Sequence, residues 1–330
     1  MEIIIINHYA VPASEPGITR HFSLAKELVA RGHRVTIVAA NFNHVTKNQI
    51  IDDANAGIVR RQYDSVSFIW VPVCSYKGNS PARIANILGF TRIVNKKGFS
   101  SYLLPRPDVI IGSSPHPLAA WVAERLAHRL RVPFVMEVRD LWPQTLIDLG
   151  RISPQHPAIR FLSWLERYLY KRAERIITLL PGAGEYIAAR GINKEKVVWI
   201  PNGIDMSLVP PLVGGEEEER FTVMYAGSHA LANGLDTIID CANVLHNKGW
   251  DDKVVFRFVG DGAEKPILKE KAETLDLHNI IFEDPVSKME IYDKLHEASA
   301  FIAVIKSSPL YKYGISLNKL FDYMAMARPI

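Results

Sequence analysis

Cysteine is scarce in this sequence: two residues in 330, Cys74 and Cys241, and no CxxC pair. That excludes a disulfide framework and a cysteine-based zinc centre, and it fits a reducing cytoplasm. No apolar run reaches the roughly 18 residues that a spanning helix needs. The N-terminus, MEIIIINHYA, has an acid at position 2 and four consecutive isoleucines, so it reads as a first strand and not as a signal peptide. Acids are missing from a long stretch. None stands between Asp64 and Asp108, whereas Lys77, Arg83, Arg92, Lys96, Lys97 and Arg106 do. There is no helix-turn-helix, zinc finger or aromatic RNA-binding signature, which makes nucleic acid the weakest class of partner.

What is present is an ordinary globular composition, 48% hydrophobic and 22% charged, in a chain long enough for two domains. The net charge of +4 conceals an asymmetry. Residues 1–200 hold 26 Lys and Arg against 15 Asp and Glu, a surplus of 11 cations; residues 201–330 hold 13 against 20, a surplus of 7 acids. A basic first half implies an anionic partner such as a membrane surface or a phosphorylated substrate.

Apolar periodicity predicts strands alternating with helices. Glu2–Asn7 reads as a strand and Ile18–Arg31 as a helix, with Phe22, Ala25, Leu28 and Val29 on one face. Strands are predicted at 34–39, 66–71, 109–112, 133–138, 175–179 and 197–200, with helices at 117–131 and 155–173. The alternation stops at Pro201–Arg220, where prolines, glycines and the acid run Glu216–Glu219 read as a linker. It restarts with strands at 221–226, 254–260, 280–282 and 300–303 and helices at 235–248, 263–275, 288–298 and 317–326. This is an α/β chain of two doubly wound parallel-sheet halves, 1–200 and 221–330. Ligands of such sheets bind outside the carboxyl ends of the strands, and the cleft between two facing halves is the expected site.

Within that frame the segment 306–330, KSSPLYKYGISLNKLFDYMAMARPI, is the most telling. It sets Lys319 and Asp322 one turn apart on a short helix opened by a loop with Gly314, Ile315 and Ser316. A cation and helix-end N–H groups suit a diphosphate, and a carboxylate suits ribose hydroxyls. The bland alternative is an exposed i,i+3 ion pair. Gly17, in the loop before the first helix, allows close backbone approach to an anion, or simply marks a turn. His116 sits at a strand's carboxyl end between Pro115 and Pro117, where it could serve chemistry or cap the next helix. Glu137, Arg139 and Asp140 follow another strand, and either Asp140 acts as a base or an ion pair braces the loop. Val259-Gly260-Asp261-Gly262 resembles a dinucleotide fingerprint but fails it, since Lys265 takes the third glycine position. Pro81–Gly98 carries Ile84, Ile87, Leu88 and Val94 beside Arg83, Arg92, Lys96 and Lys97, the pattern of a helix on an anionic membrane or of a core-facing helix with a basic outer face.

The motifs PASEPGITRHFSLAKELVARGH, SSPHPLAAWVA, EVRDLWP, PNGID, YAGSHALANGLDTII, FVGDGAEK and SLNKLFDYMAMARP, in that order, resemble those of GT-B fold retaining glycosyltransferases of the family 4-like group, in particular bacterial O-antigen and capsule transferases of the L-fucosamine type. The resemblance implies two Rossmann-like domains facing across a cleft, the second ending short of the usual family length, as a fragment would. It implies a nucleotide-sugar donor (a UDP-, GDP- or dTDP-sugar), a lipid-linked or oligosaccharide acceptor, no metal or other cofactor, and a cytoplasmic protein at the inner face of the plasma membrane. It places His116, Glu137 and Asp140 near the chemistry. Gly17, Gly227, Ser228, His229, Asn233, Gly260, Val286, Gly314, Ile315, Ser316, Lys319 and Asp322 fall on the donor side. This chain departs from the family pattern twice. His229 and Asn233 stand where relatives carry diphosphate-clamping cations, and Gly314 stands where the first of two acids eight residues apart is usual. A non-catalytic nucleotide-sugar binder and a sugar-nucleotide epimerase of the same architecture are the alternatives.

Overall fold

The computed structural model describes residues 1–51, 57–78, 80–103, 106–150, 152–211 and 220–330. The acid run Glu216–Glu219, with the rest of 212–219 in the connection read as a linker, lies outside them. The described chain divides into two units. One is Met1–Pro12, Gly17–Asn202 and Ser308–Ser316, and the other is Ala13–Pro16, Gly203–Ser307 and Leu317–Ile330.

The first unit is built on an eight-stranded sheet. Its strands are β1 (Glu2–Ile6), β2 (Arg34–Ala40), β3 (Val59–Tyr63), β4 (Val66–Val71), β5 (Val109–Ser113), β6 (Phe134–Val138), β7 (Arg175–Thr178) and β8 (Val197–Trp199). Its helices are α1 (Arg20–Ala30), α2 (Pro81–Asn95), α3 (Pro117–Leu130), α4 (Gln144–Asp148), α5 (Pro157–Arg172) and α6 (Ala183–Ala188). The strand order is β3-β4-β2-β1-β5-β6-β7-β8, parallel throughout except for β3. Strands covered on both faces read as unbroken apolar runs, and β1 is one: Ile3, Ile4, Ile5 and Ile6 are all buried. Each contributes about 1.5–3 kcal/mol by leaving water. Alternate residues serve opposite faces. Ile4 and Ile6 join Val38, Ile69, Phe90, Leu126 and Leu169 under α2, α3 and α5. On the other face, α1 brings Phe22 to Phe68, ring centres 6.1 Å apart. Strand β3 escapes the apolar signal because its residues, VRRQY, are half or fully exposed. It pairs antiparallel at the sheet edge, joined to β4 by a turn in which Asp64 takes φ +49°.

The second unit has a four-stranded parallel sheet in the order β11-β10-β9-β12, from β9 (Phe221–Ala226), β10 (Val254–Val259), β11 (Ile280–Glu283) and β12 (Ala300–Phe301). Tyr225, Phe256 and Phe258 pack under α7 (Asp236–His246) and α8 (Lys265–Thr274). Met224 and Ala226, their neighbours in β9, pack under α9 (Ile291–His296) and α10 (Asn318–Ala325) with Tyr292, Leu295 and Tyr323. Among the described residues no helix is long and apolar enough to cross a membrane.

The close seating of α3 on β5 and β6 depends on Gly112. A Cβ there would lie 2.6 Å from Ala123 Cβ and 2.9 Å from Phe134. Gly112→Ala is therefore expected to lower the unfolding free energy by about 1–3 kcal/mol, through overpacking, as read from urea unfolding.

Candidate functional site

In the first unit the strand ends carry two buried polar networks. The larger centres on Glu137, the fourth residue of β6. Its Oε1 accepts from Arg20 Nε at 3.0 Å. Its Oε2 accepts from Ser113 Oγ and from His21 Nε2, both at 2.6 Å. Asn7, just past β1, accepts from the Tyr9 backbone N–H through Oδ1, so its amide nitrogen is free to donate to His21 Nδ1 (3.1 Å) and Ser113 Oγ (3.0 Å). That donation fixes the His21 tautomer with its proton on Nε2, toward Glu137. Burial lowers the His21 pKa despite the pull of Glu137. Burial pushes Glu137 up, but His21, Arg139 and Arg20 outweigh it and hold the carboxyl well below the usual range. The resting pair is a carboxylate and a neutral imidazole, with Arg20 supplying the counter-charge. Arg20 also donates to the carbonyls of Ile200 (3.0 Å) and Pro201 (2.5 Å), tying the end of β8 to the start of α1.

The second network is a chain through two histidines. The Ala119 N–H donates to His116 Nδ1 at 3.3 Å, capping α3. His116 Nε2 then carries the proton and donates to His8 Nδ1 at 2.9 Å. His8 Nε2 donates to Asn86 Oδ1 at 2.8 Å, and Asn86 donates on to the Cys74 carbonyl. Burial, then the charge of Arg83, pushes His116 down to about 3. Burial and His116 push His8 well below its usual value. Both rings are therefore neutral, and both nitrogens of each are engaged. His44 stacks on Tyr9 with centres 4.8 Å apart and is lowered to about 4 by burial and Lys47. Arg83, grouped by sequence with a membrane-facing stripe, is instead half-buried, and its charge acts on His8, His44 and His116. Neither His8 nor Arg83 was among the expected site residues, since a buried partner chain leaves no local sequence pattern.

Asp140 differs from these groups. It is exposed, yet its carboxyl is raised because desolvation by the surrounding protein outweighs the opposing pull of Arg139. Gly17, at φ +145°, is exposed, and a Cβ there would meet Val11 at 3.0 Å. Gly314, Ile315 and Ser316 also belong to the first unit. Ser316 bonds Asn202 through its Oγ and its carbonyl, and a Cβ on Gly314 would lie 2.6 Å from the Pro181 ring.

The remaining donor-side candidates lie in the second unit, at the carboxyl ends of β9 and β10. Two turns there approach backbone to backbone. Gly227 and Gly260 take φ +149° and +140°, and a Cβ on Gly260 would sit 2.0 Å from the Gly227 carbonyl oxygen. His229 donates its N–H to the Asp261 carbonyl at 2.8 Å, and a Cβ on Gly262 would lie 2.3 Å from the His229 carbonyl. Only glycine permits this spacing. Lys265 takes the place of a third glycine. Its Nζ donates to the carbonyls of Gly260 (2.9 Å) and Glu283 (2.8 Å) and to Asp284 (3.0 Å), closing the turn from behind.

Lys319 enters this corner from α10. Its Nζ donates to Tyr225 Oη at 2.5 Å and lies 3.5 Å from Asn233 Oδ1. Gly227 is close enough that a Cβ would lie 3.2 Å from Nζ. Tyr225, which the sequence places in the strand 221–226 without singling it out, donates to the Ser228 carbonyl, which Asn233 also bonds. Burial lowers the Lys319 pKa to about 8. His229 is buried in the same corner and lowered to about 4 by burial and then Lys265; neither ring nitrogen has a partner among the described residues. Asp322 bonds Lys288 and the Tyr292 hydroxyl, so it and Lys319 turn to different partners. Val286 is half-buried against the α9 and α10 core.

Residues 17–203 match the family model of the glycosyl transferase 4-like domain. WcaI of Escherichia coli (strain K12), whose name assigns it as a glycosyl transferase to colanic acid biosynthesis, is 20% identical over 269 residues, or 77% of this chain. The chain spans 64% of that relative's length. Sucrose-phosphate synthase from Thermosynechococcus elongatus superimposes with a TM-score of 0.74 at 14% identity, covering 99% of this chain and 80% of its own. Anabaena HepE in complex with UDP and glucose gives 0.63 at 14% identity, covering 100% and 79%. The fold is that of the GT-B glycosyltransferases.

Glu137→Ala would leave Arg20 and His21 buried without their acceptor. It is expected to cost about 3–5 kcal/mol of stability, measured by urea unfolding.

Proposed function

The chain belongs to the glycosyl transferase 4-like family, and we propose that it transfers a sugar, with retention of configuration, from a nucleotide-sugar donor to a lipid-linked or oligosaccharide acceptor in the assembly of a bacterial surface polysaccharide. One observation carries this reading: an amine desolvated against Tyr225, Lys319, stands beside the glycine turn that follows β9 and in the same corner as the unpartnered ring of His229. A diphosphate suits such a corner, because a desolvated ammonium already held in place meets its charge without reorganising. In this reading Lys319, Gly227, Ser228 and His229 take the diphosphate of a UDP-, GDP- or dTDP-sugar, and the unpartnered ring of His229 gains an acceptor. Asp322, held by Lys288 and Tyr292, is oriented for ribose hydroxyls.

In the first unit we assign direct contact with the acceptor to Asp140. His116 and Glu137 have their polar atoms committed within the protein and act by positioning. An exposed carboxylate with a raised pKa can orient an attacking hydroxyl and receive its proton. A front-face retaining route asks for no enzyme nucleophile, and Lys319 answers the charge of the departing diphosphate. The colanic acid assignment in the name of WcaI supports a surface polysaccharide. Exposed Ile84 and Leu88 beside Arg92, Lys96 and Lys97 support a place at the inner face of the plasma membrane.

A thermal-shift panel of UDP-, GDP- and dTDP-sugars tests donor binding; no rise in melting temperature with any of them would overturn the reading. Asp140→Asn is expected to cut turnover about 100-fold or more while leaving nucleotide affinity unchanged. Lys319→Ala should weaken nucleotide binding about 10- to 100-fold, the worth of a charge-assisted hydrogen bond. The amine is charged below its pKa, so affinity should fall as pH rises through about 8 and beyond. Titration calorimetry across that range should show the fall in wild type and a flatter profile in Lys319→Arg, whose charge persists.

A further inference from the structure

The first unit presents an outer surface that sugar transfer leaves unused. Helices α2, α3 and α5 lie side by side over one face of the sheet, with α3 touching both of the others. Together they contain two acids, Glu124 and Glu166, and both are buried. Glu124 is bonded by Arg172 and Tyr168, and Glu166 by Arg190 and Tyr170. Every formal charge these helices show to solvent is therefore positive.

On α5 the exposed residues include Arg160, Phe161, Trp164, Arg167, Lys171 and Arg172, with the uncharged Pro157, Ala158 and Ser163 between and before them and Tyr168 half-buried against the core. Phe161 and Trp164 are 51% and 59% exposed. The three rings run along the helix in near-parallel steps of 6.0 and 5.7 Å, inclined by 29° and 19°. Beyond α3, helix α2 exposes Ile84 (61%) and Leu88 (52%) one turn apart, with Arg92 on the following turn and Lys96 and Lys97 after it.

Aromatic rings and aliphatic side chains left in water, interleaved with cations and no acid, fit a surface that offers both hydrocarbon and negative charge. An anionic bilayer offers both: rings settle at the headgroup boundary while Arg and Lys reach lipid phosphates. A neutral glycan would satisfy the rings but not the cations or the aliphatic pair. We propose that the outer face of α2, α3 and α5 docks this protein on an anionic lipid bilayer, with Phe161 and Trp164 entering the interface. The proposal rests on the lipid-linked acceptor reading above, which would bring the protein to such a surface.

Flotation with vesicles of phosphatidylcholine plus phosphatidylglycerol, against phosphatidylcholine alone, tests it. The wild-type chain should bind the anionic vesicles, less so at raised salt. Phe161→Ser with Trp164→Ser, and separately Arg160→Gln with Arg167→Gln and Lys171→Gln, should each reduce partitioning by about tenfold or more. Melting temperature, and its rise with a nucleotide sugar, should not change in either variant, which separates docking from folding and from donor binding. Equal binding of wild type and both variants, or no binding of wild type, would overturn the proposal. So would retention on an immobilised oligosaccharide that depends on Trp164 without vesicle binding. A nucleotide response without vesicle binding would leave the transferase reading standing alone. Vesicle binding without any nucleotide response would sink the transferase reading and keep the docking surface.

Discussion

The first unit is organised around the cost of removing one carboxylate from water. Glu137 is ionised and buried, a state that costs several kcal/mol unless its lone pairs are filled. They are filled by Arg20, His21 and Ser113, which come from α1 and the end of β5, while Asn7 beyond β1 sets the histidine tautomer. Satisfying Glu137 thus fixes the relative positions of β1, β5, β6 and α1, and through Arg20 the end of β8. Asp140 lies three residues after this anchor, in the loop that follows β6. The Ser114 N–H also donates to the Glu137 carbonyl, at 3.0 Å. Rigid strand ends carrying an accessible acid follow from polar burial rather than from apolar packing alone.

The second unit meets the same need, fixed strand ends, through backbone shape. Gly227, Gly260 and Gly262 let two turns pack main chain on main chain, and Lys265 neutralises the carbonyls that converge behind them. Lys319 is desolvated because it has been drawn into that corner, held by Tyr225. Its lowered pKa and its reach to the turn share one cause: the side chain lies against Tyr225 and so close to Gly227 that a Cβ there would sit 3.2 Å from Nζ.

The charge surplus of the first half is also segregated by packing. The acids of α3 and α5 turn inward to Arg172, Arg190, Tyr168 and Tyr170, which leaves their outer faces cationic. Composition records the surplus; burial decides which sign reaches the surface.

Alternating apolar strands and amphipathic helices were legible along the chain, because burial on both faces of a parallel sheet demands continuous apolar runs such as Ile3–Ile6. The glycine turns and the Lys319 helix were legible as well, since glycines just past strands and a Lys and an Asp one turn apart on a short helix leave local marks. Strand β3 was not, because an exposed edge strand has no apolar face to show. The partners of each polar group were also beyond the sequence. His116 reads equally as a catalytic group or a helix cap until the Ala119 N–H and His8 are found to occupy its nitrogens, and Glu137 reads as chemistry until Arg20 and His21 arrive from more than 100 residues away. Spacing determined which residues gather at strand ends. Only the tertiary structure decided which of them stay open to a ligand, because a hydrogen bond consumed between distant segments has no trace in the order of the chain.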